Sequence, residues 1–204
     1  MSSRDKILAT VKSNQPEAKE LPPLDLPVLP DTTDAVQKFI AVLEAIGGSA
    51  YIVSGFDRIA VLVKEQFPDA HRIVSNCPEL SALAEVPTRY DDPHLLENID
   101  VAVLRAHFGV AENGACWITE DLLAERVIPF IAQHLALVIN KKDIVRNMHE
   151  AYARIADAAY GFGVFIAGPS KTADIEQSLV LGAHGPRSMM VFLIDEGTSD
   201  AGFF

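Results

Sequence analysis

Polar and charged side chains crowd two glycine-containing bends between Phe165 and Arg187, in a C-terminal third that is otherwise ordinary core sequence. The run reads as an apolar strand (Phe165-Ile166-Ala167), a Gly168-Pro169 break and a short helix opening on Ser170, Thr172 and Asp174. A glycine-rich exit from Gly182 to Arg187 and a strand from Met189 to Ile194 complete it. A strand that passes through a glycine turn into a helix N-terminus is where α/β proteins commonly hold a ligand. Gly182 and Gly185 permit backbone conformations closed to other residues, and Pro186 stiffens the exit. Such a loop could aim backbone N–H groups, His184 and Arg187 at an anion. The alternative is a compact connection in which His184 satisfies a buried carbonyl and Arg187 pairs with Asp174 or Glu112.

Other chemistries fit the same residues less well. If Thr172 caps the helix, Asp174 and Glu176 fall in its first turn, where each gains about 0.3–1 kcal/mol from the helix dipole. Two residues apart, they lie about 200° apart around the axis, so they do not form a carboxylate pair. Each is either a dipole partner or a ligand contact. Gly168-Pro169-Ser170-Lys171-Thr172 places a lysine after a glycine but lacks the G-x-x-x-x-G-K-[ST] spacing of an NTP-binding loop. No G-x-G-x-x-G follows the first strand. Ser170 has no base beside it in sequence, and the six histidines show no metal-ligand spacing, so neither a metal nor a cofactor is expected.

Composition narrows the class. A net charge of −11 argues against nucleic acid, which needs clustered Lys and Arg. The one adjacent basic pair, Lys141-Lys142, runs straight into Asp143 and reads as solvated surface. Cys77 and Cys116 are far apart, supporting neither a disulfide scaffold nor an iron–sulfur cluster. No run approaches the roughly 18 apolar residues of a membrane span, and the start has no signal-peptide pattern. A cytoplasmic protein is expected, with no membrane partner.

These residues need an α/β frame, and the rest of the chain predicts one. Ser3 to Ser13 has helical spacing. Five prolines between Pro16 and Pro30 then make an arm, whose leucines suggest docking on its own domain or on a neighbouring copy in a homo-oligomer. The division expected is residues 1–30 for helix and arm and 31–204 for the domain. There, Asp34 to Ile46 reads as a helix stopped by Gly47-Gly48, followed by a strand at Ala50–Val53 and a helix at Ile59–Phe67. Strands follow at His71–Ser75, Asp100–Arg105 and Leu135–Ile139, with a helix at Met148–Tyr160. Residues 76–98, interrupted by prolines, should form short pieces only. Asn113-Gly114 predicts a hairpin with Glu112 at its tip and Ala115–Thr119 returning as a strand. The alternation predicts a layered, Rossmann-like α/β fold with a mostly parallel sheet.

Gly168 to Glu176 and Leu179 to Arg187 together resemble the signature of the LUD domain family, in its lactate utilisation protein C branch. Ala111-Glu112-Asn113-Gly114 sits where that family has Ala-Glu-Thr-Gly, so Asn113 is a departure. The resemblance spans about residues 34–195. It implies a fold similar to the NagB/RpiA/CoA-transferase superfamily, and membership of a three-component system oxidising L-lactate to pyruvate whose other components resemble iron–sulfur proteins. Class I CoA-transferases carry a catalytic glutamate in Ser-Glu-Asn-Gly, which the Glu112 element matches in three of four positions.

Three functions follow. One is an accessory component of a lactate-oxidising system, binding a small anionic ligand or iron–sulfur partners. Another is a CoA- or acyl-transferase-like or other small-molecule enzyme at the same cleft, in which Glu112, Asp174 and His184 are catalytic. The third is a ligand-controlled binding module. In each, Asn113, Gly168, Ser170, Lys171, Thr172, Glu176, Gly182, Gly185 and Arg187 would line the ligand site, with Glu112 and the 168–187 loop sharing one cleft.

Overall fold

The computed structural model describes residues 2–20, 34–89, 92–173 and 179–195. The chain divides into two units, Met1–Thr32 and Thr33–Phe204. In the first, Ser3–Ser13 forms helix α1, started by a capping box: Ser2 Oγ accepts the Asp5 N–H and the Asp5 carboxylate accepts the Ser2 N–H. Most of the proline arm, residues 21–33, lies outside the described residues.

The second unit runs α2 (Ala35–Ala45), β1 (Ser49–Val53), α3 (Phe56–Gln66), β2 (Ile73–Ser75), β3 (Val101–Arg105), β4 (Phe108–Val110), β5 (Ala115–Thr119), α4 (Ile128–Ile131) and β6 (His134–Asn140). It continues with β7 (Ile144–Val145), α5 (Met148–Ile155), β8 (Gly163–Ile166), β9 (Lys171–Ala173), β10 (Leu179–Leu181) and β11 (Ser188–Ile194). Among the described residues between β2 and β3 only single 3₁₀ turns form, at Pro78–Leu80 and Pro93–Leu96, as the prolines predict.

The apolar runs of β3, β6 and β11 suit strands buried on both faces. They form the middle of a parallel sheet ordered β1-β11-β6-β3-β2. Alternate residues serve opposite cores. Ala102, Leu104, Leu135, Leu137, Val191 and Leu193 pack with Phe39 and Leu43 of α2 and with Cys116 and Ile118 of β5. Val101, Val103, Ala136, Val138 and Phe192 pack with Ile59, Leu62 and Val63 of α3. On the α2 side lies a second sheet, β7-β4-β5-β8, whose outer residues Phe108, Val110 and Trp117 pack against Ala151 and Ile155 of α5.

The local signals behave as expected at α2 and at the hairpin. Asp34 caps α2 through the Val36 N–H, and Gly47, at φ 92°, closes it by donating to Glu44 O while Gly48 donates to Leu43 O. Residues 111–114 turn β4 into antiparallel β5, with Asn113 Oδ1 accepting the Ala115 N–H. Helix α5 is shorter than predicted. Ala156 leaves the helical region at φ 45° and ends it well before Tyr160.

The larger correction concerns residues 165–194. The apolar strand containing Phe165 is β8, antiparallel to β5 in the second sheet, whereas β11 lies in the main sheet. The two strands are therefore not a parallel pair joined by a crossover helix. Lys171–Ala173 and Leu179–Leu181 pair antiparallel instead of forming the predicted helix, and Thr172, expected to cap it, faces Val180 in register. Asp174 and Glu176 lie outside the described residues.

Candidate functional site

The chain from Gly168 to Arg187 leaves the second sheet and enters the first strand position of β11. Its two arms are tied at Ser170, whose N–H donates to Pro186 O while its carbonyl accepts the Gly182 N–H. Gly185 packs on the same residue: a Cβ there would lie 3.2 Å from Ser170 Cβ. A Cβ on Gly182 would lie 2.4 Å from Arg187 Cγ, so its absence leaves room for the arginine stem. Arg187 itself is anchored by donation of its N–H to Gln133 O. The structure thus gathers Ser170, Gly182, Gly185 and Arg187 into one knot. His184 is exposed on it, which removes the alternative of a histidine satisfying a buried carbonyl.

Gly168 and Lys171 fasten the knot to α2. A Cβ on Gly168 would lie 3.1–3.3 Å from Ile46 atoms, and one on Gly47 would lie 3.5 Å from Lys171 Cε and Nζ. The Lys171 ammonium therefore crosses the C-terminal end of α2, where the dipole favours a cation. Gly114, in the Glu112 turn, abuts the same part of α2: its Cβ would lie 3.1 Å from Leu43 Cα and 3.4 Å from Ile46 Cδ1. The Glu112 turn and the 168–187 loop so share Ile46 as a neighbour. The Glu112 carboxylate, however, accepts the Met148 N–H at 2.8 Å and serves the N-terminus of α5, while Asn113 is spent on its own turn.

Sequence reading missed two residues here. His134 and Ser188 begin adjacent parallel strands in direct register, and His134 Nδ1 lies 2.7 Å from Ser188 Oγ. Burial, and then the positive charge of Arg187, hold the His134 imidazole below its usual pKa, with Asp100 opposing them. Only the strand register brings His134 to Arg187, so a residue-by-residue scan carries no signal for it. The pairing also fixes the loop's position at the amino ends of the parallel strands.

A pH dependence follows. The unfolded histidine binds a proton near pH 6.5, the folded one only at lower pH, so within that window the unfolded chain holds more protons. Stability should fall as the pH drops through it. His134→Gln is expected to flatten the slope, which urea midpoints at several pH values across the window would measure.

The fold defines the class: a parallel α/β sheet flanked by helices, with a second small sheet on one face. It resembles the crystal structure of a DUF162 family protein from Deinococcus radiodurans, with a TM-score of 0.61 at 15% identity over 79% of this chain and 96% of that one. The LUD domain model matches residues 85–194, which include the Glu112 turn and the whole 168–187 loop. The chain belongs to the LUD domain family.

Curated relatives are similar over a shorter stretch. The lactate utilization protein C of Bacillus pumilus is 30% identical over 115 residues, covering 53% of this chain and 48% of the relative. That of Oceanobacillus iheyensis is 29% identical over 108 residues, covering 50% and 46%, and that of Shouchella clausii 30% over 106 residues, covering 49% and 46%. The chain spans about half the length of the curated relatives it matches.

Proposed function

We propose that this protein is an accessory component of an L-lactate utilisation system, and that the knot around Ser170 holds a small carboxylate. The observation that carries the reading is the concentration of Lys171, His184 and Arg187 on one glycine-built loop, in a chain of net charge −11. Three basic side chains around a fixed backbone give an anion charge-assisted donors and an opposing field elsewhere on the surface. The similarity to proteins named lactate utilization protein C supplies the class of carboxylate.

Oxidation of a 2-hydroxy acid to a 2-oxo acid releases two electrons and two protons, and the electrons would pass to redox-active partner subunits, not through this chain. Cys77 and Cys116 are both buried free thiols whose pKa burial raises, so neither offers a ready thiolate to a cluster. Iron–sulfur partner subunits are accordingly part of the proposal. Among the described residues no helix is long and apolar enough to cross a membrane.

Thermal-shift titration with lactate and pyruvate tests the site. At 100 times its Kd a ligand stabilises by about 2.7 kcal/mol, a shift of several degrees for a domain of this size. Lys171→Ala and Arg187→Ala should each abolish it. A full shift retained in both variants would overturn the assignment. The transferase alternative makes a different demand: Glu112 must leave the Met148 N–H to act as a nucleophile. A shift with acyl-CoA that is lost in Glu112→Gln would favour it.

A further inference from the structure

The β4–β5 hairpin carries a second polar cluster at its other end, about 15 Å along the strand from the Glu112 turn. There His107 precedes β4 and Thr119 ends β5, at the mouth of a cavity of about 420 Å³. His107 Nε2 lies 2.5 Å from Thr119 Oγ1 and 3.5 Å from Asp121 Oδ1, and the Thr119 hydroxyl donates to Asp121 Oδ1. The directions of this chain are fixed by valence. Asp121 is held ionised, first by the Thr119 hydroxyl, and an ionised carboxylate only accepts. Thr119 has one proton and spends it on Asp121, so His107 must donate from Nε2. Asp121 remains two-thirds exposed, with acceptor capacity turned to solvent.

The rest of the lining decides which ligand suits that acceptor. Trp117, only 7% exposed, meets Tyr160 edge-on at 5.5 Å and Phe165 at 4.5 Å, and Gly163 lets its ring lie on the β8 backbone: a Cβ there would be 2.4 Å from the indole. Arg154 already covers the face of Phe108 at 5.0 Å and pairs with Asp143 at 2.6 Å. Glu120 is likewise taken, by Arg126 and by the Gly161 N–H. A cationic ligand would meet the Arg154 guanidinium and an aromatic face, that of Phe108, already occupied by it. An anion would meet Asp121 and a single arginine, Arg154, already paired with Asp143. A neutral molecule with several hydroxyl donors and an apolar C–H face has neither conflict. The volume falls within the roughly 300–1,000 Å³ typical of small-molecule sites.

We propose that this cavity is a binding site for a neutral polyhydroxylated ligand of sugar size, whose hydroxyls donate to Asp121 while its C–H face lies against Tyr160, beside Trp117. The site is separate from the Ser170 knot and does not depend on the function assigned to it.

Trp117 is the only tryptophan of the chain, so its emission reports on this cavity directly. The full-length protein would be titrated with glucose, galactose and myo-inositol, and in parallel with acetate and methylammonium. A saturable change is expected with at least one of the neutral polyols and with neither ion. Asp121→Asn should weaken that binding at least about tenfold, the loss of a hydrogen bond to a charged acceptor. Tyr160→Ala, at an exposed ring, provides a second variant should Asp121→Asn fail to fold, and should weaken binding as well. Lys171→Ala should leave it unchanged. Absence of any saturable response to the polyols, saturation by an ion alone, or wild-type affinity in the folded variants would overturn the proposal.

Discussion

Phe39→Ala is expected to cost about 3–5 kcal/mol of folding stability, a large part of the roughly 5–15 kcal/mol available to a domain. Phe39 is fully buried on the face of α2 that meets the parallel sheet, within the same core as Ile118, Leu137 and Val191. Its ring reaches into the second sheet as well: a Cβ on Gly109 would lie 2.9 Å from Phe39 Cε2, with Ile144 and Ile139 close on the other sides. The phenylalanine thus fills a space that three elements leave for it, and truncation creates a cavity that packed strands can close only in part. Phe39→Leu keeps most of the volume and should cost less than about 1.5 kcal/mol. Urea denaturation with an unchanged m-value measures both. A loss below about 1 kcal/mol for the alanine variant would mean that α2 does not seat on the sheet as described. Since Ile46 and Gly47, at the end of the same helix, support Gly168 and Lys171, the alanine variant should also weaken any carboxylate response of the loop.

The sequence disclosed those parts of the fold whose cause is local. Asp34 and Gly47-Gly48 bound α2 because caps act within one turn, and Asn113-Gly114 marked the hairpin because Gly114 takes φ 68° and Asn113 Oδ1 accepts the Ala115 N–H. The central strands were visible as apolar runs because burial on both faces leaves little polar alternation. What failed was the partner of each run. Phe165 and Met189 sit in equally apolar segments, and nothing within either segment states that one joins β5 antiparallel and the other joins β6 parallel. The expected helix after Ser170 rested on Ser, Thr and Asp, which favour turns as readily as helix caps. With the Leu179-Val180-Leu181 run available to pair, Lys171–Ala173 forms a ladder instead.

Site residues divide along the same line. Ser170, Gly182, Gly185 and Arg187 stand close in sequence, so the loop was legible as a unit even though its internal structure was not. Glu112 was legible as a turn residue, but its bond to the Met148 N–H spans 36 positions. His134 reaches Arg187 and Ser188 only through parallel register, and the His107–Thr119–Asp121 chain closes only once β4 and β5 are paired. Chemistry assembled across strands becomes readable when the ladder is known.

Gly168→Val should destabilise by about 2–4 kcal/mol and abolish the carboxylate response of the loop. Two terms add. Gly168 sits at φ 69°, where a β-branched residue is strained by roughly 1–3 kcal/mol. A Cβ there would also lie 3.1 Å from Ile46 Cγ1 and 3.2 Å from Ile46 O, and a backbone carbonyl at the end of a helix yields little. Gly168→Asn separates the two, because asparagine tolerates the left-handed region yet meets the same carbonyl; about 1 kcal/mol is expected for it. The effect on ligand binding follows from what the bend sets. It places Pro169 and Lys171 over Gly47 and delivers Ser170 to Pro186 and Gly182, so a shifted bend displaces every basic group of the knot together. Urea midpoints give the stability terms, and thermal-shift titration with lactate and pyruvate gives the binding term. Equal losses for valine and asparagine would remove the backbone-strain component. A folded valine variant that kept the full ligand shift would show that the carboxylate is held elsewhere.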